Sequence, residues 1–428
     1  MEYKDFLELI YQRYSGNVKL GLERIENIFS KMGNPDKKLK GIHVAGTNGK
    51  GSTSAISEAM ALGQGYHTGM NTSPHLIDYC ERFRIDGKNP SYLEILDLHN
   101  RFQNIFDENE ASFFEISTAL ALQLFVEKEV DTSIIEVGLG GRLDGTNTFN
   151  STVSIITTVS LDHPKSLGDT IEKIAFEKAG IIKKNTPLVL GNIVENAKQV
   201  ILQEAKTKNA PVFAFNQEYY VKNIVTDTTG TTFDYEFPAK NINLKQIKIN
   251  LLGEHQATNA ATALTAFILY NEILQRQIDF TKLRASLMQV NWFGRMQILH
   301  TKPLVIIDGA HNEEGVKSLI SNLKNMFPNR YIRFVVAILR DKKLDIMIED
   351  ICHFAQEIYI SKNHSERAAD LEEQIDVAKK FDIPYFACDD LLSATKTAFA
   401  KTKDDEILII TGSLYTISEV LKERLFEQ

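Results

Sequence analysis

The feature that most constrains the fold is an alternation, from Gly41 onward, of short β-branched runs with longer helical stretches. Such alternation is typical of parallel sheets whose strands are joined by crossover helices. The predicted strands of the first half are Ile42–Val44, Thr132–Val137, Val153–Val159 and Pro187–Leu190. Ser91 with Glu94 forms a capping-box pattern that predicts a helix start, and Gly180 predicts the end of a helix over Thr170–Ala179. The sequence therefore predicts the α/β class.

Two interruptions divide this alternation. Residues Glu218–Leu252 contain alternating segments, Thr231–Phe237 and Ile247–Leu252, typical of a small antiparallel insertion. A helix over Gln256–Leu274 follows, and the pattern then breaks at Trp292–Arg295. A second series of predicted strands comes after the break: Leu304–Ile307, Ile332–Ala337, Glu357–Ile360 and Glu406–Ile410.

The length of 428 residues exceeds the roughly 250 to 300 residues that one hydrophobic core serves. We therefore predict two domains. The first covers residues 1–295 and has a mostly parallel sheet with the small antiparallel insertion. The second covers residues 296–428 and is a Rossmann-like α/β domain.

Charge and composition exclude several classes of protein. The formal net charge of −8 argues against a generally basic nucleic-acid binder. The three cysteines, Cys80, Cys352 and Cys388, are far apart and form no CxxC pair, so neither a disulfide framework nor a zinc site is expected. No apolar run reaches the roughly 18 residues of a membrane helix, and Met1–Ser15 lacks a signal-peptide core. We expect a cytoplasmic protein with no membrane and no nucleic-acid partner.

A glycine-rich loop lies between the first predicted strand and an Ala/Ser-rich helix. It reads Gly46-Thr47-Asn48-Gly49-Lys50-Gly51-Ser52. Its glycines let backbone N–H groups face phosphate oxygens, and Lys50 and the N-terminal end of the helix add positive charge.

This loop departs from the common G-x-x-x-x-G-K-[ST] pattern at two positions. Val44 replaces the leading glycine, and Gly51 separates the lysine from Ser52. The alternative is a glycine-rich turn with no special role. Because strand, loop and helix follow in the order that the motif demands, we predict a nucleoside triphosphate site in a P-loop ATPase domain.

Two more predicted strands end in polar side chains. Glu136 ends one strand, and Asp162 and His163 follow the next. Ligands of α/β folds bind at the carboxyl ends of parallel strands, so Glu136 and neutral His163 could share a divalent cation with phosphate oxygens. A structural histidine is the alternative for His163. Lys178, judged from its helix alone, is typical of a solvated lysine.

Together these motifs resemble one known family. The strings that carry the resemblance are Gly46–Thr53, Thr72–Leu76, Glu81–Arg82, Glu136–Asn147, Asp162–His163, Glu177–Ile182, Gly253–Gln256, Gly294–Arg295 and Asp308–Asn312. They closely resemble folylpolyglutamate synthase and the bifunctional dihydrofolate synthase of the Mur ligase superfamily, over nearly the whole chain. The resemblance implies an ATP-dependent amide ligase. A carboxylate attacks the γ-phosphate, and the amine of L-glutamate displaces phosphate from the acyl phosphate.

The resemblance also implies how ATP and metal are bound. The implied ATP contacts are Thr47, Asn48, Gly49, Lys50, Gly51, Ser52, Asn259, Arg295 and Asp308. The implied Mg²⁺ ligands, for two expected ions, are Ser73, Glu136 and His163. The implied catalytic residues are Lys50, Lys178 and His311, of which Lys178 resembles the family's carbamylated lysine.

The acceptor, a reduced folate, dihydropteroate or both, is implied to contact two segments. They comprise Ser112, Phe113, Phe114 and Glu115, and Leu143, Asp144 and Gly145. Either phenylalanine alone is as typical of a helix core as of a stacking platform. Gly145 stands where the family more often has alanine, and Lys343 where an acidic residue is common.

Three alternatives to this assignment differ in what they require. A murein-precursor ligase needs a complete domain ahead of its phosphate loop, and only 45 residues precede Gly46. A nucleotide-dependent switch predicts hydrolysis stimulated by a macromolecule. An inactive relative would be expected to have lost Lys50, Glu136, His163 or Asp308. We expect a monomeric ligase with its site in the interdomain cleft, which closure completes with Asp308 and His311.

Overall fold

The computed structural model describes residues 2–13 and 21–426, so residues 1, 14 and 15 of the N-terminal segment Met1–Ser15 lie outside it. The chain divides into two compact units. The first comprises Met1–Ile224, Thr232–Asn250 and Gln256–Asn291, and the second Val225–Thr231, Leu251–His255 and Trp292–Gln428. The predicted division into domains of residues 1–295 and 296–428 stays a prediction.

The first unit is built on a seven-stranded sheet. Its strands are β1 (Gly41–Ala45), β2 (Thr68–Asn71), β3 (Arg84–Ile85), β4 (Thr132–Glu136), β5 (Val153–Ile156), β6 (Leu188–Leu190) and β7 (Val212–Ala214). The spatial order is β3-β2-β4-β1-β5-β6-β7, and every pair is parallel except β2 with β3. All residues of β1, β4 and β5 are buried, which explains why these strands lack an apolar face alternating with a polar, solvent-exposed one.

Eleven helices belong to this part of the described chain. They are α1 (Tyr3–Tyr11), α2 (Glu23–Lys31), α3 (Pro35–Lys38), α4 (Lys50–Gly63), α5 (Tyr92–Glu108), α6 (Phe113–Glu127), α7 (Pro164–Leu167), α8 (Ile171–Ala179), α9 (Glu195–Thr207), α10 (Glu254–Ile273) and α11 (Phe280–Leu287). The predicted capping box of Ser91 and Glu94 is confirmed at the start of α5.

Gly180 ends α8 as predicted, although for a different reason. Its φ is −60°, in the right-handed helical region, so the left-handed freedom of glycine is not used. A Cβ at Gly180 would instead lie 2.3 Å from Cα of Arg142. The close approach of the Arg142 backbone therefore requires glycine at this helix end.

The predicted antiparallel insertion is a three-stranded sheet of β8 (Tyr220–Asp227), β9 (Gly230–Phe237) and β10 (Ile242–Ile249), in the order β10-β9-β8. Two residues link β8 to β9, a connection that only antiparallel neighbours allow. The predicted limits of the last strand, Ile247–Leu252, are wrong, because β10 begins five residues earlier and ends at Ile249.

The second unit is built on a six-stranded sheet. Its strands are β11 (Gln297–Thr301), β12 (Leu304–Ile307), β13 (Ile332–Val336), β14 (Glu357–Ile360), β15 (Tyr385–Ala387) and β16 (Ile407–Thr411). The order is β11-β12-β16-β13-β14-β15, parallel except for β11 with β12. Its helices are α12 (Glu313–Met326), α13 (Leu344–Cys352), α14 (Leu371–Ala378), α15 (Leu391–Lys401) and α16 (Leu414–Lys422). The predicted α/β class is confirmed, with mostly parallel sheets in both halves of the chain. Within the described residues, no helix is both long and apolar enough to cross a membrane.

A buried ion cluster ties together the amino ends of three neighbouring strands in the second sheet. Arg333 of β13 forms ion pairs with Glu357 of β14 and with Glu406, which precedes β16. The Arg333 side chain is only 8% exposed. Because water cannot replace the guanidinium there, both carboxylates depend on it for compensation.

Replacing Arg333 with leucine is expected to destabilise the protein by about 3 to 5 kcal/mol, because two carboxylates would lose their buried counter-ion. The matched control is Arg101→Leu. The Arg101 side chain is 46% exposed in its pair with Glu127, and its loss is expected to cost no more than about 1 kcal/mol. Urea unfolding of both variants measures the difference. Equal losses would contradict this role of Arg333.

Candidate active site

The glycine-rich loop joins the end of β1 to the start of α4, and two of its glycines are required by close approaches. A Cβ at Gly46 would lie 1.8 Å from Oγ1 of Thr157. Gly49 has φ of +85°, and a Cβ there would lie 2.6 Å from Oδ1 of Asn259. The structure therefore brings Asn259 of α10, a predicted ATP contact, against the phosphate loop.

The loop is held by the residues that follow β5. The Thr47 N–H donates to the Thr158 carbonyl oxygen at 2.9 Å, and the Asn48 N–H donates to Oγ1 of Thr158 at 3.0 Å. Oγ1 of Thr157 donates to the Asn48 carbonyl oxygen at 2.6 Å, and the Ser160 N–H donates to Oγ1 of Thr47 at 3.1 Å. These bonds organise the loop before any ligand is bound.

The supporting role of this segment was not predicted, because the predicted strand continued through residues 157–159. The strand β5 ends at Ile156, and the backbone beyond it bonds to the loop. The available signal was the run Thr157-Thr158-Val159-Ser160, in which three hydroxyl groups follow the apolar pair Ile155-Ile156.

Lys50 and Lys178 interact electrostatically at this edge of the sheet. Nζ of Lys50 donates to the carbonyl oxygens of Gly46 and Thr47, each at 3.1 Å. Lys178 of α8 is buried, so its interpretation as a solvated lysine is wrong. Burial lowers the pKa of Lys178 to about 7, the positive charge of Lys50 adds to the effect, and Asp162 opposes it. Near neutral pH a large fraction of the Lys178 amine is therefore unprotonated.

Two of the predicted metal ligands lie together because β2 and β4 are parallel neighbours. Glu136 is buried at the end of β4. Its Oε2 accepts a hydrogen bond from the backbone N–H of Ser73 at 3.1 Å. Ser73 follows β2 by two residues, so the two strands end at the same edge.

His163 lies at the same edge, after β5. Its backbone is in the left-handed region, with φ of +52°, immediately before α7. Nε2 of His163 lies 3.8 Å from Oδ2 of Asp162. His163, the third predicted metal ligand, therefore lies beside the carboxylate of Asp162.

The two predicted acceptor segments come together around Phe114. A Cβ at Gly138 would lie 2.4 Å from the Phe114 ring, so this ring packs directly on the backbone. A Cβ at Gly145 would lie 3.6 Å from the same ring, an ordinary contact at a φ that is not positive. Alanine would therefore fit at residue 145, and the departure from the family pattern is sterically small.

Phe113 does not share this position. It belongs to the hydrophobic core of the first unit, with its ring 5.7 Å from that of Tyr79 and 5.0 Å from the Arg82 guanidinium. Phe113 is therefore a core residue, whereas Phe114 is only half-buried, and an acceptor contact of either residue stays a prediction.

The polar residues of these segments hold the local backbone. Ser112 and Glu115 form a capping box at the start of α6, and Glu115 also accepts from Nε of Arg24 at 3.1 Å. Asp144 is buried and accepts from the N–H groups of Leu139 and Thr146. Burial raises the pKa of Asp144, and these donors oppose the rise. The partly buried Leu143 lies beside it.

The predicted site residues of the second unit surround the turn after β12. Asp308 accepts from the N–H groups of Met296 and Ala310, each at 2.8 Å. Burial raises the pKa of Asp308, against the effect of the Arg295 guanidinium. A Cβ at Gly309 would lie 3.4 Å from Nη1 of Arg295.

His311 completes this group. Its Nδ1 lies 2.8 Å from the Gly309 carbonyl oxygen, which can only accept, so Nδ1 carries the proton. In the neutral ring Nε2 is therefore the proton-accepting nitrogen. The structure thus brings Arg295, Asp308 and His311 together within the second unit.

Comparison with known proteins agrees with this arrangement. Residues 44–267 match the family model described as the Mur ligase middle domain. Residues 294–414 match the model described as Mur ligase, glutamate ligase domain. A dihydrofolate synthase/folylpolyglutamate synthase of Bacillus subtilis (strain 168) is 36% identical over 427 residues, which cover 98% of each chain. A folylpolyglutamate synthase of Lacticaseibacillus casei is 30% identical over 93% of this chain and 92% of that protein.

Solved structures give the same result. Folylpolyglutamate synthase of Mycobacterium tuberculosis complexed with ADP matches with a TM-score of 0.92 and 29% identity, over 99% of this chain and 98% of that one. The E. coli FolC protein in complex with DHPP and ADP matches with a TM-score of 0.89 and 27% identity, over 98% and 97%. The chain therefore belongs to the Mur ligase family, in the group of the folylpolyglutamate and dihydrofolate synthases.

Proposed function

We propose that this ATP-dependent ligase joins L-glutamate through an amide bond to the carboxylate of a reduced folate, and also to that of dihydropteroate. The observation that carries the proposal is the meeting of the phosphate loop, the Ser73 and Glu136 pair and buried Lys178 at one edge of the first sheet. The B. subtilis relative is named for both activities and the L. casei relative for one, so the acceptor range is the finer part of the proposal.

The reaction needs two steps, a phosphoryl transfer and an acyl transfer. In the first, an oxygen of the acceptor carboxylate attacks the γ-phosphorus and ADP leaves, which forms an acyl phosphate. In the second, the glutamate amine attacks the acyl carbon, and phosphate leaves as the amine loses a proton. Both steps develop negative charge on oxygen, which fixed positive groups stabilise. We assign this role to Lys50 and Arg295, and proton acceptance from the amine to Nε2 of His311.

The residues at the first sheet's edge suit Mg²⁺. A carboxylate from Glu136, a hydroxyl from Ser73 and an imidazole from His163 form a donor set dominated by oxygen, which a hard divalent cation prefers. The Ser73 N–H already holds one carboxylate oxygen of Glu136 in place. When bound, Mg²⁺ would neutralise charge on the phosphate oxygens.

Lys178 suits carbamylation because the reaction requires an unprotonated amine. The amine nitrogen attacks CO₂ and loses a proton, which converts a cation into a carboxylate-like anion. With its pKa near 7, Lys178 supplies the unprotonated amine at neutral pH. The resulting anion would hold a second Mg²⁺.

The proposed function is tested by ADP release with ATP, Mg²⁺ and L-glutamate, adding dihydropteroate in one assay and tetrahydrofolate in the other. Release is expected to require acceptor and glutamate together, with mass spectrometry detecting each acceptor extended by one glutamate. Glu136→Gln is expected to lower both rates at least about 100-fold, whereas Glu127→Gln, at an exposed ion pair, keeps them. Absence of product with both acceptors would exclude the proposed function, and one product alone would restrict it.

Gly49→Ala is expected to weaken binding of ADP or AMPPCP at least tenfold, because the new Cβ would displace Asn259 or the loop. Gly65→Ala is the control, since Gly65 has φ of +82° but no atom within 4 Å of a Cβ. Both variants bear similar backbone strain, and only Gly49→Ala should lose affinity in calorimetric titration. Equal affinities would contradict the role of the loop.

Removal of CO₂ is expected to lower ligase activity at least about tenfold, and bicarbonate should restore it. Recovery should become faster as pH rises through about 7, because the unprotonated fraction of Lys178 increases. Lys178→Met should be inactive with or without bicarbonate. Lys183, half-buried and with a pKa lowered to about 8, provides the control, since Lys183→Met should keep the bicarbonate response. Activity unaffected by CO₂ removal would rule out carbamylation.

A further inference from the structure

A histidine lies fully buried in the central strand β1 of the first sheet. His43 is the middle residue of β1, aligned with Ile135 of β4 and Ser154 of β5. Burial keeps its pKa well below the usual range, and the positive charge of Lys183 contributes. His43 is therefore neutral at physiological pH and acts only through hydrogen bonds.

The hydrogen bond of His43 has a definite direction. Oγ1 of Thr146 lies 2.5 Å from Oδ1 of Asp144 and donates to that carboxylate. The same hydroxyl oxygen lies 3.0 Å from Nε2 of His43, so Nε2 must supply the proton of this second bond. Nδ1 has no hydrogen-bond partner among the described residues, which fits an unprotonated nitrogen better than a buried N–H. The hydrogen bonds are therefore donated in one direction, from His43 to Thr146 and from Thr146 to Asp144.

Asp144 in turn closes the loop that carries the second acceptor segment. Its Oδ1 also accepts from the Thr146 N–H at 3.0 Å, and its Oδ2 accepts from the Leu139 N–H at 2.8 Å. The loop Gly138–Thr146 is thereby drawn together beside the Phe114 ring, which packs on Gly138 and leaves room only for a Cβ at Gly145. The phosphate loop, by contrast, is held separately by Thr157 and Thr158.

We propose that His43 is a positioning residue for the acceptor site, which fixes Asp144 through Thr146 and so sets the shape of the loop Gly138–Thr146 against Phe114. The inference rests on the proposed function, because it assigns this loop to the acceptor. It places a determinant of acceptor affinity in the interior of a strand, at a residue outside those assigned to the acceptor or to ATP. A purely structural histidine would affect stability and all substrates alike.

The kinetic test compares His43→Leu, which removes the donor, with His43→Gln, whose amide can donate to Thr146. His43→Leu is expected to raise the KM for dihydropteroate or tetrahydrofolate about tenfold, the equivalent of one buried hydrogen bond, and to change the KM for ATP less than about twofold. His43→Gln is expected to restore most of the acceptor KM. Ser133→Ala is the control. It removes a different fully buried polar side chain, in the neighbouring strand β4, and should leave both KM values unchanged.

A second variant keeps the test decisive if His43→Leu does not fold. Thr146→Val interrupts the chain at its middle with little change in volume, and it should raise the acceptor KM by a similar factor. The double variant should show no additional increase over Thr146→Val, because both changes break the same chain. Equal increases in both KM values, unchanged acceptor KM, or no rescue by glutamine would overturn the proposal.

A spectroscopic measurement separates this inference from the proposed function. In ¹⁵N-histidine-labelled protein, the His43 ring, identified by its absence in His43→Gln, should be neutral with its proton on Nε2 from pH 6 to 8. A proton on Nδ1, or a cationic ring, would overturn the relay whether or not the protein uses folates. The expected ring state without turnover or binding of any pterin or folate would reject the proposed function and, with it, the acceptor role of His43.

Discussion

Parallel backbone pairing of buried strands is the constraint on which the rest of this structure depends. Strands β2, β4, β1 and β5 are consecutive and parallel, so all four end at one edge of the first sheet. That edge carries the phosphate loop after β1, Glu136 at the end of β4 and His163 after β5. Because the strands are buried on both faces, a one-residue slip in register would exchange the side chains of the two faces and disrupt the packing of both. The register of the strands therefore fixes which side chains meet at this edge.

Several buried ionisable groups, in both units, have neighbours that set their pKa values. Asp144 and Asp308 are each held by backbone N–H donors, which oppose the effect of burial. Burial lowers the pKa of Lys178, Lys50 lowers it further, and Asp162 offsets only part of the change. Buried groups of this kind are costly for folding and are typical of functional sites. Burial of the Lys178 amine therefore lowers the free energy of unfolding, and ion pairs such as those of Arg333 oppose this loss.

Much of the fold was predictable because several buried strands are rich in β-branched and aromatic residues. The interior strands β4, β13 and β14 were located within one residue, whereas β2, with the sequence Thr68-Gly69-Met70-Asn71, was missed. Its four residues are buried by segments distant in sequence, among them the paired strand β4 and the Phe125 ring against Gly69. The edge strands β11 and β15 were missed for a related reason, since partly exposed edges need no apolar run.

The sequence by itself determined the class of fold, the phosphate loop and the family, because these depend on residue type and local order. The tertiary structure decided which side chains meet. It buried Lys178, it placed Phe113 in the core but Phe114 beside the loop Gly138–Thr146, and it connected His43 through Thr146 to Asp144 across about a hundred residues. The physical reason is that burial and hydrogen-bond partners depend on distant segments brought together by the sheets, and no local pattern records those distances.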